Sequence, residues 1–166
     1  SLREEIKPGD LVFPDQFIDF TKTRQNNSFD KKEVIHTPMA EPFCSNIIIE
    51  LSKLAEELNI NYHVNKTVVI IEGPRFSTKA ESLMFRVLGA DIINMTTHPE
   101  STLAREQGMH YSNIGMVTDY DSWKEDSDPV SLEKVKEVME NNASKVTRII
   151  SKIILRLKPW KDGCTV

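Results

Sequence analysis

Cysteine is scarce in this sequence: Cys44 and Cys164 are the two present, 120 positions apart. That excludes a disulfide framework and any paired Cys-x-x-Cys metal site, and it fits a reducing, cytoplasmic compartment. Glycine is also sparse, with six in 166 residues. No Gly-x-Gly-x-x-Gly, Gly-x-x-x-x-Gly-Lys-Ser/Thr or Gly-x-Ser-x-Gly occurs, so dinucleotide, P-loop and serine-hydrolase chemistry have no support. His36, His63, His98 and His110 are scattered without ligand spacing, and no metal is expected. The net charge of -4 offers no basic surface for nucleic acid or anionic membrane. No apolar run approaches the ~18 residues of a membrane span. Residues 1–10 carry mixed charge, unlike the apolar core of a secretory leader. The sequons at Asn26, Asn65 and Asn142 therefore read as unused.

What is present suffices for one ordinary domain: 39% hydrophobic and 28% charged residues. Pro8-Gly9-Asp10 reads as a turn into the apolar run Leu11-Val12-Phe13, which Pro14 limits. Residues 15–38 are polar, with a short strand at Glu33–Thr37. A helix over 45–58 places Ile48, Leu51, Leu54, Ala55 and Leu58 on one stripe, with Ser45 as N-cap. After a turn and a weak strand over 59–64, Thr67–Ile71 is an unbroken β-branched run, typical of a strand buried on both faces. Glu72-Gly73-Pro74 ends it. A helix over 77–88 is predicted to bury Ala80, Leu83, Met84, Val87 and Leu88, with Gly89 as C-cap. Strand 90–95, helix 99–107 and strand 111–118 follow, then an acidic stretch over 119–130. A last helix over 131–157 carries a stripe from Val135 to Leu157, and residues 158–166 read as a tail.

Strands alternating with helices predict an α/β sandwich whose ligand lies at the carboxyl edge of the sheet. Three polar segments follow the strands and gather there: Glu72–Ser77, Thr96–Glu100 and Asp119–Asp121. Asp119 and Asp121 point the same way if the strand continues. A protonated Asp can donate and an ionised one can accept from an amine, which suits a base such as adenine. An acidic surface turn is the plain alternative. Arg75 either faces the ligand or pairs with Glu72 or Glu81. Phe76 either stacks on a flat ring or enters the core. Met95 and Thr96 either line a sugar and an anion or serve packing and capping.

The run VVIIEGPRFSTKAESLMFRVLGADIINMTTHPE and the later LAREQGMHYSNIGMVTDYD closely resemble the methylthioadenosine phosphorylases, within the trimeric purine nucleoside phosphorylase family. LREEIKPGDLVFPDQFIDFT and HTPMAEPFC resemble the same family, so the likeness covers residues 1–155 almost without a break. It implies a three-layer α/β sandwich, with a mixed central sheet flanked by helices, assembled as a homotrimer. It implies phosphorolysis of 5′-methylthioadenosine to adenine and 5-methylthioribose 1-phosphate, with phosphate as co-substrate and no cofactor. By the same likeness Asp119 meets purine N7 and Asp121 the N6 amine. Phe76 lies against the base with Ser77 beside it, Met95 packs on the ribose and Thr96 touches phosphate. His36 reaches a neighbouring subunit's methylthio subsite, which Leu132 and Val135 line. Relatives preferring guanine and hypoxanthine carry Asn at the first aspartate position, so Asp119 implies 6-aminopurines.

The family's glycine-rich phosphate loop, Arg-His pair and Thr-Ala pair are absent, as is its closing carboxyl-terminal segment. Residues 1–166 thus resemble the carboxyl-terminal portion of a single phosphorylase domain, missing the first strands of its sheet. A separate amino-terminal chain, a longer parent chain and a truncated homologue with a binding role each fit. A purine nucleoside phosphorylase of other specificity also fits. The resemblance implies a cytoplasmic location, with the nucleus as a second compartment.

Overall fold

A computed structural model describes residues 1–25, 27–28, 36–125 and 132–157, with the side chains of 132–134 outside that description. Among the described residues, six strands and four helices run in the order β1 (Leu11–Phe13), β2 (Gln16–Asp19), α1 (Ser45–Glu57), β3 (Tyr62–Val64), β4 (Thr67–Ile70), α2 (Lys79–Val87), β5 (Ile92–Asn94), α3 (Thr97–Glu106), β6 (Gly115–Met116) and α4 (Leu132–Ile153). They form two three-stranded sheets, β3-β1-β6 and β2-β4-β5. The second is wholly parallel, with Val68 opposite both Phe17 and Ile92. The first pairs β1 parallel with β3 and antiparallel with β6. Pro14 separates β1 from β2, so the chain leaves one sheet and enters the other there.

Burial is deepest in β1 and β4. Val68, Val69 and Ile70 in β4 are fully buried, as the unbroken run required. One core joins Leu11 and Phe13 to Leu51 and Leu54 of α1 and to Ile149 and Ile153 of α4. A second, around Val12, Val68, Ile92 and Val117, links the two sheets. A third sets Phe85 of α2 against Leu2, Val69 and Ala90. The architecture is the expected α/β sandwich, with sheets flanked by helices. Among the described residues, no helix is long and apolar enough to cross a membrane.

Several local expectations give way. The stripe assigned to the helix after β4 faces outward: Val87 is 87% exposed, and Ala80, Leu83, Met84 and Leu88 are exposed too. Ser82 and Phe85 are the residues α2 buries, because one large ring reaching Val69 anchors the helix. Its cap is Thr78: the Thr78 hydroxyl accepts from the Glu81 amide, and the Glu81 carboxylate accepts from the Thr78 amide. Cys44, not Ser45, sits at the N-cap of α1 and makes no side-chain cap bond. The strand expected over 111–118 shrinks to β6, since Gly115 and Met116 are the residues of that stretch that pair with β1. Strand β2 lies in the stretch read as polar, where no strand was expected. Residues 36 and 37 are not strand, while 33–35 and 158–166 lie outside the described residues.

Candidate active site

The carboxyl ends of β4, β5 and β6 open onto one cleft of about 420 Å³. Six of the residues singled out in the sequence line it: Phe76, Ser77, Met95, Thr96, Asp119 and Asp121. Each comes from a segment that leaves a strand. Phe76 and Ser77 lie after the Gly73-Pro74 turn, Met95 and Thr96 bridge β5 and α3, and the aspartates follow β6.

The acidic wall is held mainly through the backbone. The Ser1 nitrogen donates to the Asp119 carbonyl at 2.7 Å, and the Asp121 amide donates to the Ser1 carbonyl at 3.0 Å. The Trp123 indole donates to the same Ser1 carbonyl at 2.9 Å. Ser1 thereby straddles Tyr120 and fixes the residues on either side of it. The Thr118 hydroxyl donates to Asp119 Oδ2 at 2.6 Å. Asp121 Oδ2 is buried and has no hydrogen-bond partner among the described residues. A desolvated carboxylate oxygen without a donor is costly.

The opposite walls are apolar and hydroxylic. Gly73, with φ of +69°, lets Met95 come close: a Cβ there would lie 2.6 Å from the Met95 sulfur. Phe76, 59% exposed, lines the cleft. Ser77 is buried with its hydroxyl unpartnered. Thr96 is exposed at the N-cap of α3 and makes no side-chain cap bond. Thr97, by contrast, is locked in structure, its hydroxyl accepting from Asn94 at 2.5 Å and Asn113 at 3.1 Å.

Arg75 does not face the cleft. It forms a bidentate pair with Glu81 at 2.7 and 2.6 Å, which decides between its two readings. The Arg75 guanidinium is the main reason the Glu81 carboxyl is held down at about 2. Burial, then the neighbouring Glu100, pushes the Tyr111 phenol well above its ordinary range. His36 is exposed and does not line the cleft of its own chain. Val135, half-buried in the first turn of α4, does not line it either. Leu132 opens α4, and its side chain lies outside the described part.

Met139, Asn94 and Ser1 line the cleft without having been singled out as site residues. Met139 lies four residues after Val135 on one helix face, a spacing that could have flagged it. Asn94 ends a strand, where a polar residue is a visible signal. Ser1 carries no signal, because it acts through its main chain. Among the lining residues none is Lys or Arg, and among the described residues no cluster of three or more His, Cys, Asp or Glu could hold a metal.

Comparison with known proteins places this geometry in context. A family described as "Phosphorylase superfamily" matches residues 1–155. The S-methyl-5'-thioadenosine phosphorylase of Xenopus tropicalis is 50% identical over 155 residues, covering 90% of this chain and 55% of the relative. That of Hyperthermus butylicus is 50% identical over 163 residues, covering 98% and 59%. The chain therefore spans little more than half the length of these curated relatives. Among solved structures, a methylthioadenosine phosphorylase from an antarctic soil metagenomic library superposes with a TM-score of 0.91 at 36% identity, over 99% of this chain and 58% of that one. The Schistosoma mansoni methylthioadenosine phosphorylase in complex with adenine gives 0.89 at 35%, over 97% and 64%.

Proposed function

Because this chain belongs to the phosphorylase superfamily, we propose that it supplies the purine and sugar side of a site for phosphorolysis of 5′-methylthioadenosine, giving adenine and 5-methylthioribose 1-phosphate. The observation that carries the reading is the pair Asp119 and Asp121 in one cleft with Phe76, Met95 and Thr96, with Asp121 Oδ2 buried and unpartnered. An exocyclic N6 amine is a donor that would satisfy it. Asp119, one oxygen of which accepts from Thr118, is the general acid at N7.

Cleavage of the glycosidic bond leaves negative charge on the purine and positive character on the sugar. A proton or hydrogen bond delivered at N7 stabilises the first, and the incoming phosphate stabilises the second. Phe76 packs on the base with Ser77 beside it, Met95 packs on the ribose, and Thr96 donates to phosphate. His36 of a neighbouring copy in a homotrimer, with Leu132 and Val135, encloses the methylthio group. Phosphate is the co-substrate and no cofactor takes part. The setting is purine and methionine salvage in the cytoplasm, with the nucleus as a second compartment.

A dianion held by one hydroxyl and no cationic side chain is poorly bound, and the cleft lining contains no cationic side chain. The rest of the phosphate site belongs to the amino-terminal portion of the domain, of which residues 1–166 are the carboxyl-terminal portion. The same lining favours a second reading, in which this chain alone binds nucleoside without turning it over. Incubating the pure chain with methylthioadenosine and phosphate and following adenine release separates these. No release by the chain alone, and release once the remaining portion is added, is the expected result. Turnover by the chain alone would overturn both the completion and the binding-only readings. Faster cleavage of inosine than of methylthioadenosine by the completed enzyme would overturn the role given to Asp119.

A further inference from the structure

The two apolar walls of the cleft are tied together from behind by a group with no place in the chemistry above. Arg24 lies in the segment after β2, with its side chain 18% exposed. Its guanidinium donates to the Ile71 carbonyl at 3.4 Å and the Glu72 carbonyl at 3.1 Å, where the chain leaves β4 for Phe76 and Ser77. The same guanidinium donates to the carbonyl of His98, at the kink in α3 just past Met95 and Thr96. One planar fork thus spans the bases of both walls.

Glu72 closes the other half. Its carboxylate accepts from the Lys22 amide at 2.5 Å, the Thr23 amide at 3.2 Å and the Thr23 hydroxyl at 3.0 Å, and it lies 3.6 Å from Arg24 Nε. The segment carrying Arg24 is therefore held by the strand end that Arg24 holds. Nothing local demands this: an exposed turn after an edge strand satisfies its amides with water at little cost. The arrangement makes sense as a spacer, because the walls meet at one tight point, Gly73 against the Met95 sulfur.

We propose that Arg24 and Glu72 form a latch that sets the distance between the Phe76–Ser77 wall and the Met95–Thr96 wall, making both positioning residues of the cleft. The consequence for catalysis rests on the reading of the cleft given above; the latch itself does not. Hydrogen–deuterium exchange on the 166-residue chain tests the latch without any activity. Arg24→Lys keeps the charge but cannot span three carbonyls, and Glu72→Gln is the second variant. Each should speed exchange about tenfold or more at residues 71–77 and 95–98 together, leaving the core amides of β1 and β3 unchanged. Unchanged exchange in either wall, or an equal rise throughout the core, overturns the proposal.

In a preparation that releases adenine from methylthioadenosine, Arg24→Lys should lower kcat about tenfold or more per folded molecule, since a misplacement of about 1 Å can cost 100-fold. Its effect should be non-additive with that of Gly73→Ala, which moves Met95 from the other side. Full additivity, or an unaltered kcat, overturns it. A wild-type enzyme that neither binds nor cleaves the nucleoside would count against the reading of the cleft, while the exchange result would still decide the latch.

Discussion

Asp119 and Asp121 stand in one acidic wall, and they differ in what each oxygen already holds. Asp119 has an internal donor in Thr118, whereas Asp121 Oδ2 has no partner among the described residues. Asp119→Ala should therefore lower kcat of the completed enzyme by about 100-fold or more, the usual scale for losing a general acid. A loss under about tenfold, measured by adenine release, would reject its central role. The placement of both aspartates at the cleft was legible in the sequence, because they follow an apolar strand whose carboxyl end lies at the sheet edge. Asn142 was not. It sits on the stripe of α4, read only as an unused sequon, yet it is fully buried and donates to the Val117 carbonyl at 3.1 Å. Its value depends on which carbonyl lies opposite, and no local pattern encodes that.

At the scale of elements, β4 was the easiest to read and α2 the most deceptive. Periodicity fixes that α2 has an apolar stripe but not that a neighbour exists to cover it. Its stability comes instead from Phe85 and from the Thr78–Glu81 box. Because Arg75 and the Thr78 amide hold the Glu81 carboxyl at about 2, below its ordinary 4.5, this box stabilises fully above the ordinary value. Its contribution should fade as pH falls from about 4.5 towards 2. Melting temperatures of the wild type and of Glu81→Gln should therefore differ at neutral pH and converge near pH 2. A gap that persists undiminished at acid pH would show that the charge is not what the box uses. Strand β2 escaped notice for a related reason: at the edge of its sheet, its end positions Gln16 and Asp19 are exposed and polar, which hides the strand pattern.

For the molecule as a whole, the layers and the cleft position followed from strand–helix alternation, but the coverage of its surface did not. Leu83, Met84, Val87 and Leu88 on α2 are exposed, as are Ile150, Ile154 and Leu155 on and just after α4. Side chains of this size each gain about 1.5–3 kcal/mol when removed from water. The isolated chain should therefore associate as its concentration rises, seen as an increasing weight-average mass in sedimentation, and Val87→Lys with Leu155→Lys should reduce the effect. A constant monomer mass across the micromolar range would refute this.

The pairing of Ser1 with residues 119 and 121 sets an order of events during synthesis. The Ser1–Asp119 bond joins positions 118 apart, and Trp123 seals it by donating to Ser1. A ribosome releases the first partner long before the second, so the acidic wall forms late, after both sheets have had the residues they need. Closing so long a loop is entropically slow, and it gains its reward only at the end. A nascent chain stalled short of Trp123 could hold a folded sheet and still present no place for a purine.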